Sequence, residues 1–134
     1  MSTTATPETT QIFADVDRMD ERAFVSHLAE DCVLRFGNAE AVRGRDAIEQ
    51  VMTGFLTAIK DLSHEVVHEY RADDTTILEL LVTYTRRDDA QVTVPAVTVY
   101  RRGDEGIDRY RVYLDLAPVY TEDGQPRRAG DETR

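Results

Sequence analysis

Apolar positions along the chain recur with two different periods, and the change falls near Asp61. Before it, Ile12, Phe13, Val16 and Met19 keep a helical spacing. Ile48, Val51, Met52, Phe55, Leu56 and Ile59 do so more regularly. Thr6 is placed to cap the first helix, with Pro7 in its first turn and Glu8 beside it. Asp20 is placed to cap a short second helix carrying Ala23, Phe24 and Leu28. Asp46 and Glu49 suit the positive end of the third helix, and Lys60 suits its other end. "DCVLRF" (Asp31 to Phe36) reads as a short strand, and "GNAEAVRG" as a turn region ending at Gly44. After Asp61 the period is two. Four runs, 62–71, 76–87, 91–101 and 107–117, are separated by the polar turns "ADDT", "RDDA" and "GDEG". Turns that short imply an antiparallel meander. Pro95 cannot donate to a ladder, so a bulge or an edge is expected there. The pattern predicts an α+β fold, with about three N-terminal helices packed on a long, curved antiparallel sheet.

The chain has 134 residues, enough for one domain and one core. A flexible N-terminus (1–9), a single domain (10–120) and a disordered, aperiodic tail (121–134) are expected. The formal net charge of −10 disfavours nucleic acid and anionic lipid surfaces. Cys32 is the only cysteine, so an internal disulfide and a multi-cysteine metal site are excluded. The polar start "MSTTATPETTQ" lacks the features of a signal peptide. No apolar run reaches the ~18 residues of a membrane span. A cytoplasmic location is the expectation. Arg86, Arg87, Arg101 and Arg102 fall at turns and are expected to be solvated.

"HEVVH", His64 to His68, fits the H-E-x-x-H pattern of zinc hydrolases. That pattern works on a helix, where residues i and i+4 share a face. Here Val66 and Val67 are β-branched and the stretch lies in a period-two run. Read as a strand, Leu62, His64, Val66, His68 and Tyr70 share a face, and Glu65 lies on the other. The two histidine backbones are then roughly 13 Å apart, against Zn–N bonds of about 2.0 Å. No metal site is expected.

The stretches "HLAEDCVLRFGNAEAVRGRDAIEQVM", "VPAVTVYRR" and "IDRYRVYLDLAPVY" resemble the nuclear transport factor 2-like superfamily, in particular its SnoaL-like members. The resemblance runs from about Ile12 to Tyr120 and implies a cone-shaped α+β domain. Its members include polyketide cyclases, epoxide hydrolases, steroid isomerases, dehydratases and non-catalytic binding proteins. The resemblance implies a pocket between the helices and the inner sheet face. Phe13, Val16, Leu34, Phe36, Phe55, Ile59, Leu81, Thr83, Val97, Val99, Arg111 and Tyr113 would line it. The frame is similar to limonene epoxide hydrolase without gaps from Ala29 to Ala47 and from about Thr98 to Leu116. Of that enzyme's polar set only the last Asp is matched, by Asp115. The others fall at Leu81, Thr83, Leu34 and Phe36.

Asp115 also matches the acid/base position of SnoaL-like cyclases. A carboxylate among Leu34, Phe36, Leu81 and Tyr113 would be desolvated and its pKa raised, which suits proton transfer. The competing role is structural: a pair with Arg111, or a cap on backbone near the sheet end. Three functions stay open: a cofactor-free cyclase or isomerase acting on a small hydrophobic substrate through Asp115, a non-catalytic binder of such a ligand, and an interaction module. The last strands are apolar on both faces. Leu80, Val82, Val112 and Leu114 are therefore expected on an outer face that is covered by a second copy of the chain.

Overall fold

A computed structural model describes residues 5–119 and realises the change of period as a change of layer. Three helices, α1 (Pro7–Asp17), α2 (Glu21–Val25) and α3 (Arg45–Thr57), cover one face of a six-stranded sheet. Its strands are β1 (Leu28–Phe36), β2 (Val42–Arg43), β3 (Asp61–Ala72), β4 (Thr75–Thr85), β5 (Gln91–Gly103) and β6 (Gly106–Leu114). The sheet is curved, unclosed and mixed, in the order β2-β1-β6-β5-β4-β3. The four period-two runs form the antiparallel meander that their short turns imply. β1 adds to its far side, parallel to β6. Leu28, expected on the second helix, is instead the first residue of β1 and is fully buried.

Local chemistry sets the element ends. The Thr6 hydroxyl accepts the Thr9 N–H at 3.3 Å, and the Asp20 carboxylate accepts the Ala23 N–H at 3.0 Å. Gly106 opens β6 at φ 131°, and a Cβ there would stand 3.0 Å from the Ala29 nitrogen, so glycine lets β6 meet the start of β1. Pro95 lies within β5 opposite Leu81 in an unbroken register with β4. Pairing with β6 begins only at Ala96, so β5 is locally an edge at Pro95 on that side.

Part of the N-terminal stretch expected to be flexible, residues 1–4, lies outside the described residues, as does the whole tail, 121–134. Pro7 to Thr9 form the first turn of α1, and Thr9 is buried with its hydroxyl 2.8 Å from that of Tyr100. Arg86 corrects the expectation of a solvated turn. Its side chain is 1% exposed and makes two hydrogen bonds with Asp88, at 3.1 and 2.6 Å, inside the β4–β5 turn. Among the described residues no helix is long and apolar enough to cross a membrane.

Candidate functional site

The concave face of the sheet and the helices enclose a small cavity of about 70 Å³. Admitting one water takes about 10–15 Å³, so this space can hold a small molecule. Val16 and Phe24 close it from α1 and α2, and Met52, Phe55 and Leu56 from α3. Leu80, Val82, Ala96 and Val112 supply the sheet wall. The polar side chains on its lining are His64, Tyr84, Thr98 and Tyr110.

His64 is the best-built of these. Its Nδ1 lies 2.6 Å from Asp17 Oδ1, and its backbone N–H donates to Asp17 Oδ2 at 3.1 Å. One carboxylate thus holds both the ring and the main chain of the histidine. Phe13 stacks on the imidazole, with centroids 4.5 Å apart and planes 12° apart. Asp17 is the last residue of α1, where the helix dipole disfavours a negative charge. In the neutral imidazole, a proton on Nδ1 donated to Asp17 leaves the lone pair on Nε2. The arrangement is that of a general base whose tautomer is set by a carboxylate behind it.

Tyr110 adds a donor to the same lining. Its ring stands edge-on to Phe24 at 5.1 Å and parallel to Tyr100 at 6.1 Å. Burial drives its pKa far upward, with Tyr100, Cys32 and Asp17 adding to the effect, so the phenol stays protonated. Burial, and then Asp108 and Asp31, likewise push the Cys32 thiol up to about 12, which removes it as a nucleophile.

The bulge in β3 decides which histidine reaches the cavity. Val66 pairs with Leu80, but the next registered pair is His68 with Glu79, leaving Val67 unpaired. The extra residue reverses the alternation. His64 and Val66 face the helices, whereas His68 and Tyr70 lie on the outer face, their ring centroids 4.1 Å apart and their planes tilted by 46°. The single face expected for 62 to 70 is therefore split, and the two histidines of "HEVVH" cannot reach one ion.

Of the residues expected around a pocket, Val16, Leu34, Phe36 and Phe55 do line the cavity. Phe13 sits behind His64, and Ile59 is buried in the core just past the end of α3. The other six are brought together on the wrong side. Leu81, Thr83, Val97, Val99, Arg111 and Tyr113 lie on the outer face, where Val97 pairs with Tyr113 and Val99 with Arg111. Leu81 is 37% exposed and Tyr113 52%. Their inward neighbours Leu80 and Val82, expected outside, are buried, and Val112 and Leu114 are half-buried against the core. The reason is physical: strands apolar on both faces carry no alternation that says which face is inside, and a slip of one residue reverses them all.

Asp115 lies just past the end of β6 and is exposed, away from the apolar surroundings expected for it. Its Oδ1 accepts the Ala117 N–H at 2.9 Å, and among the described residues it forms no ion pair with Arg111. It lines a shallow groove with Asn38, Leu116 and Phe36, and Phe36 also borders the cavity. The sequence reading missed the Asp17–His64 pair because its members are 47 positions apart. Its one local signal is the acid at the C-terminal end of α1.

Residues 9–110 match the model of the SnoaL-like domain. No curated protein matches the chain by sequence. Among solved structures, the chain is similar to a hypothetical protein with a ketosteroid isomerase-like fold from Catenulispora acidiphila, in complex with trimethylamine. The TM-score is 0.79 at 22% identity, covering 91% of this chain and 96% of that one. It is also similar to the epoxide hydrolase/cyclase-like enzyme SalBIII of pyran ring formation in salinomycin, with TM-score 0.69, 21% identity, and 81% and 88% covered. A third is RV0760c from Mycobacterium tuberculosis in complex with estradiol-17beta-hemisuccinate, with TM-score 0.69, 17% identity, and 81% and 91% covered. At these identities the structural likeness establishes the fold. The match of the family model over most of the chain goes further: this protein belongs to the SnoaL-like domain family.

Proposed function

We propose that the protein is a cyclase- or isomerase-type enzyme that moves a proton to and from carbon in a small hydrophobic molecule. The observation that carries this reading is His64, held by Asp17, on the lining of a mostly apolar cavity. An apolar wall excludes water and keeps the imidazole's lone pair for the ligand, while Asp17 stabilises the imidazolium that forms. The base is thus His64 rather than Asp115. The neighbours named above, a cyclase-like enzyme and a steroid-ligand complex, support a small-molecule ligand for this cavity.

The test needs no knowledge of the natural substrate. Small cyclic ketones in D2O exchange their α-protons under base catalysis, which proton NMR follows directly. The wild type is expected to accelerate exchange for at least one such ketone, and His64→Gln to reduce that acceleration about 10²–10⁴-fold. Saturable binding with no exchange in any ketone would leave the second reading, a non-catalytic hydrophobic ligand carrier, which the apolar lining favours.

The reading includes a homodimer through the outer sheet face. Leu81, Val97, Val99 and Tyr113 form its apolar centre. Glu65 and Glu79 lie towards β3, and Arg109, Arg111 and Arg35 towards β1. A two-fold axis through the centre sets the acidic end of one copy on the basic end of the other, which is the self-complementarity that an isologous interface requires.

A further inference from the structure

We infer that Phe36 decides the size of molecule the site accepts, and that the substrate is a non-anionic molecule too long for the cavity. Its apolar body lies at His64, and its hydrogen-bond-donating end passes Phe36 into the groove that holds Asp115. The inference rests on the proton-transfer reading above and names its substrate class. The cavity, about 70 Å³, is smaller than a ring-sized ligand needs. An apolar cavity that takes up benzene has about 150 Å³. More space lies next to it. The groove has about 330 Å³, and among the described residues Phe36 alone lines both.

Phe36 is placed to divide the two spaces. It is the last residue of β1 and half-buried, and its ring leans on Phe55 of α3 with centroids 5.0 Å apart. The backbone around it is pinned. Phe36 pairs with Val112 of β6, and the Gly37 N–H donates to the Val112 carbonyl at 2.8 Å. A ligand that needs room therefore turns the ring to another rotamer and leaves the strand in place. The ring carries no polar group, so the turn leaves no donor or acceptor unpaired. It gives up the contact with Phe55, which the ligand's own apolar surface replaces.

The groove sets the character of the far end. Ala39, Leu114 and Leu116 supply apolar wall, and the polar side chains are Asn38 and Asp115. The exposed Asp115 carboxylate accepts the Ala117 N–H on Oδ1 at 2.9 Å, and an ionised carboxylate has acceptor capacity beyond one such bond. A ligand hydroxyl or amine can use it. A ligand carboxylate or phosphate meets a like charge there.

The experiment titrates three ketones with the full-length protein, reading Kd and α-proton exchange in D2O by NMR. Cyclobutanone is compact, 4-(2-hydroxyethyl)cyclohexanone carries a donor on a chain, and (4-oxocyclohexyl)acetate carries an anion at similar length. Wild type should bind the hydroxyethyl ketone, with NOEs from its chain to the Ala39 methyl group, and the acetate at least about tenfold more weakly. Phe36→Ala should tighten the hydroxyethyl ketone about tenfold without tightening cyclobutanone. Phe36→Leu, the milder change to the core, should move the ratio of the two Kd values the same way by less. A role in packing alone would weaken both ketones together, and that result overturns the inference. So does a wild type that fails to bind the hydroxyethyl ketone, that shows no NOE to Ala39, or that binds the acetate equally well. A size preference that follows Phe36 without any α-proton exchange supports the filter and sinks the general-base reading. Exchange that is lost in His64→Gln, with a size preference indifferent to Phe36, does the reverse.

Discussion

Two carboxylates two residues apart at the end of α1 each hold a histidine, and the pairs differ in what is left over. Asp15 is 3% exposed and takes His27 Nε2 at 2.7 Å, Arg18 at 2.7 Å and Gln11 at 2.9 Å. It ties α1 to the segment leading into β1. Among the described residues Asp17 takes only His64, through the ring and the backbone N–H, and that ring borders a cavity. A carboxylate surrounded by donors is a structural joint. One that orients a single imidazole towards free space leaves that imidazole able to do chemistry.

The sharpest way to break the comparison is Asp17→Asn. Asp17 uses both oxygens, and an amide has only one acceptor, so either the ring bond or the backbone bond is lost or the His64 tautomer reverses. Exchange should drop by as much as about 10⁴-fold, as expected when a base is held in the wrong tautomer. The ¹⁵N shifts of the ring should show loss of the Nδ1–H form. Retention of both activity and tautomer would remove Asp17 from the mechanism.

Asp15→Asn should act oppositely, on stability and not on exchange. Burial alone would raise the Asp15 pKa, but hydrogen bonds from His27 and Gln11 and the charges of Arg18 and His27 outweigh it, and the net shift is downward. A folded-state pKa below the unfolded value of about 3.9 gives stability that is complete above that pH. It is lost as pH falls through the lower folded value. Denaturant melts from pH 6 downwards should therefore show an acid limb that flattens in Asp15→Asn. At pH 7 the variant should be about 1.5–3 kcal/mol less stable, the range for hydrogen bonds to a charged group. An unchanged acid limb would show that other carboxylates set it, with Asp108, held low by its pair with Arg101, the first to examine.

How far all this could be seen in the sequence depended on whether a signal was local. The α3 helix, the caps at Thr6 and Asp20 and the four-strand meander follow from spacing and turn chemistry, and the structure has them, although Val51 of the expected stripe is exposed and Ile59 lies past the helix end. The faces of the strands were not legible. Leu80 and Leu81 are equally apolar, and only packing against Phe24, Phe55 and their neighbours decides that Leu80 goes inside. The bulge at Val67 carries no glycine to announce it, yet it separates His64 from His68. The parallel seat of β1 beside β6 rests on the close approach at Gly106, a contact between segments nearly 80 positions apart.

The outer face offers a smaller test. Tyr113→Lys places a cation beside Arg111's row at the centre of the proposed two-fold interface. Since Tyr113 is 52% exposed in the single chain, the fold should tolerate the change. Sedimentation at micromolar concentration should show the wild type as a dimer and the variant shifted to monomer, with dimer Kd raised at least tenfold. A monomeric wild type would sink the interface.

The smallest effect is expected at Asp115, and it decides between two bases for one site. The carboxylate is exposed, lies beyond β6, and gives one oxygen to the Ala117 N–H. An amide oxygen in Asp115→Asn can accept the same hydrogen bond, so stability should change by no more than about 0.5 kcal/mol, as for most surface substitutions. Exchange should stay within about twofold of wild type, because the proton goes to His64. A variant that folds normally but loses exchange about 10²-fold or more would return the general base to Asp115. Phe36 would then have to move, since it is the side chain shared by the groove of Asp115 and the cavity of His64. Measuring Asp115→Asn and His64→Gln against the same ketone separates the two, because only the variant that removes the base abolishes exchange.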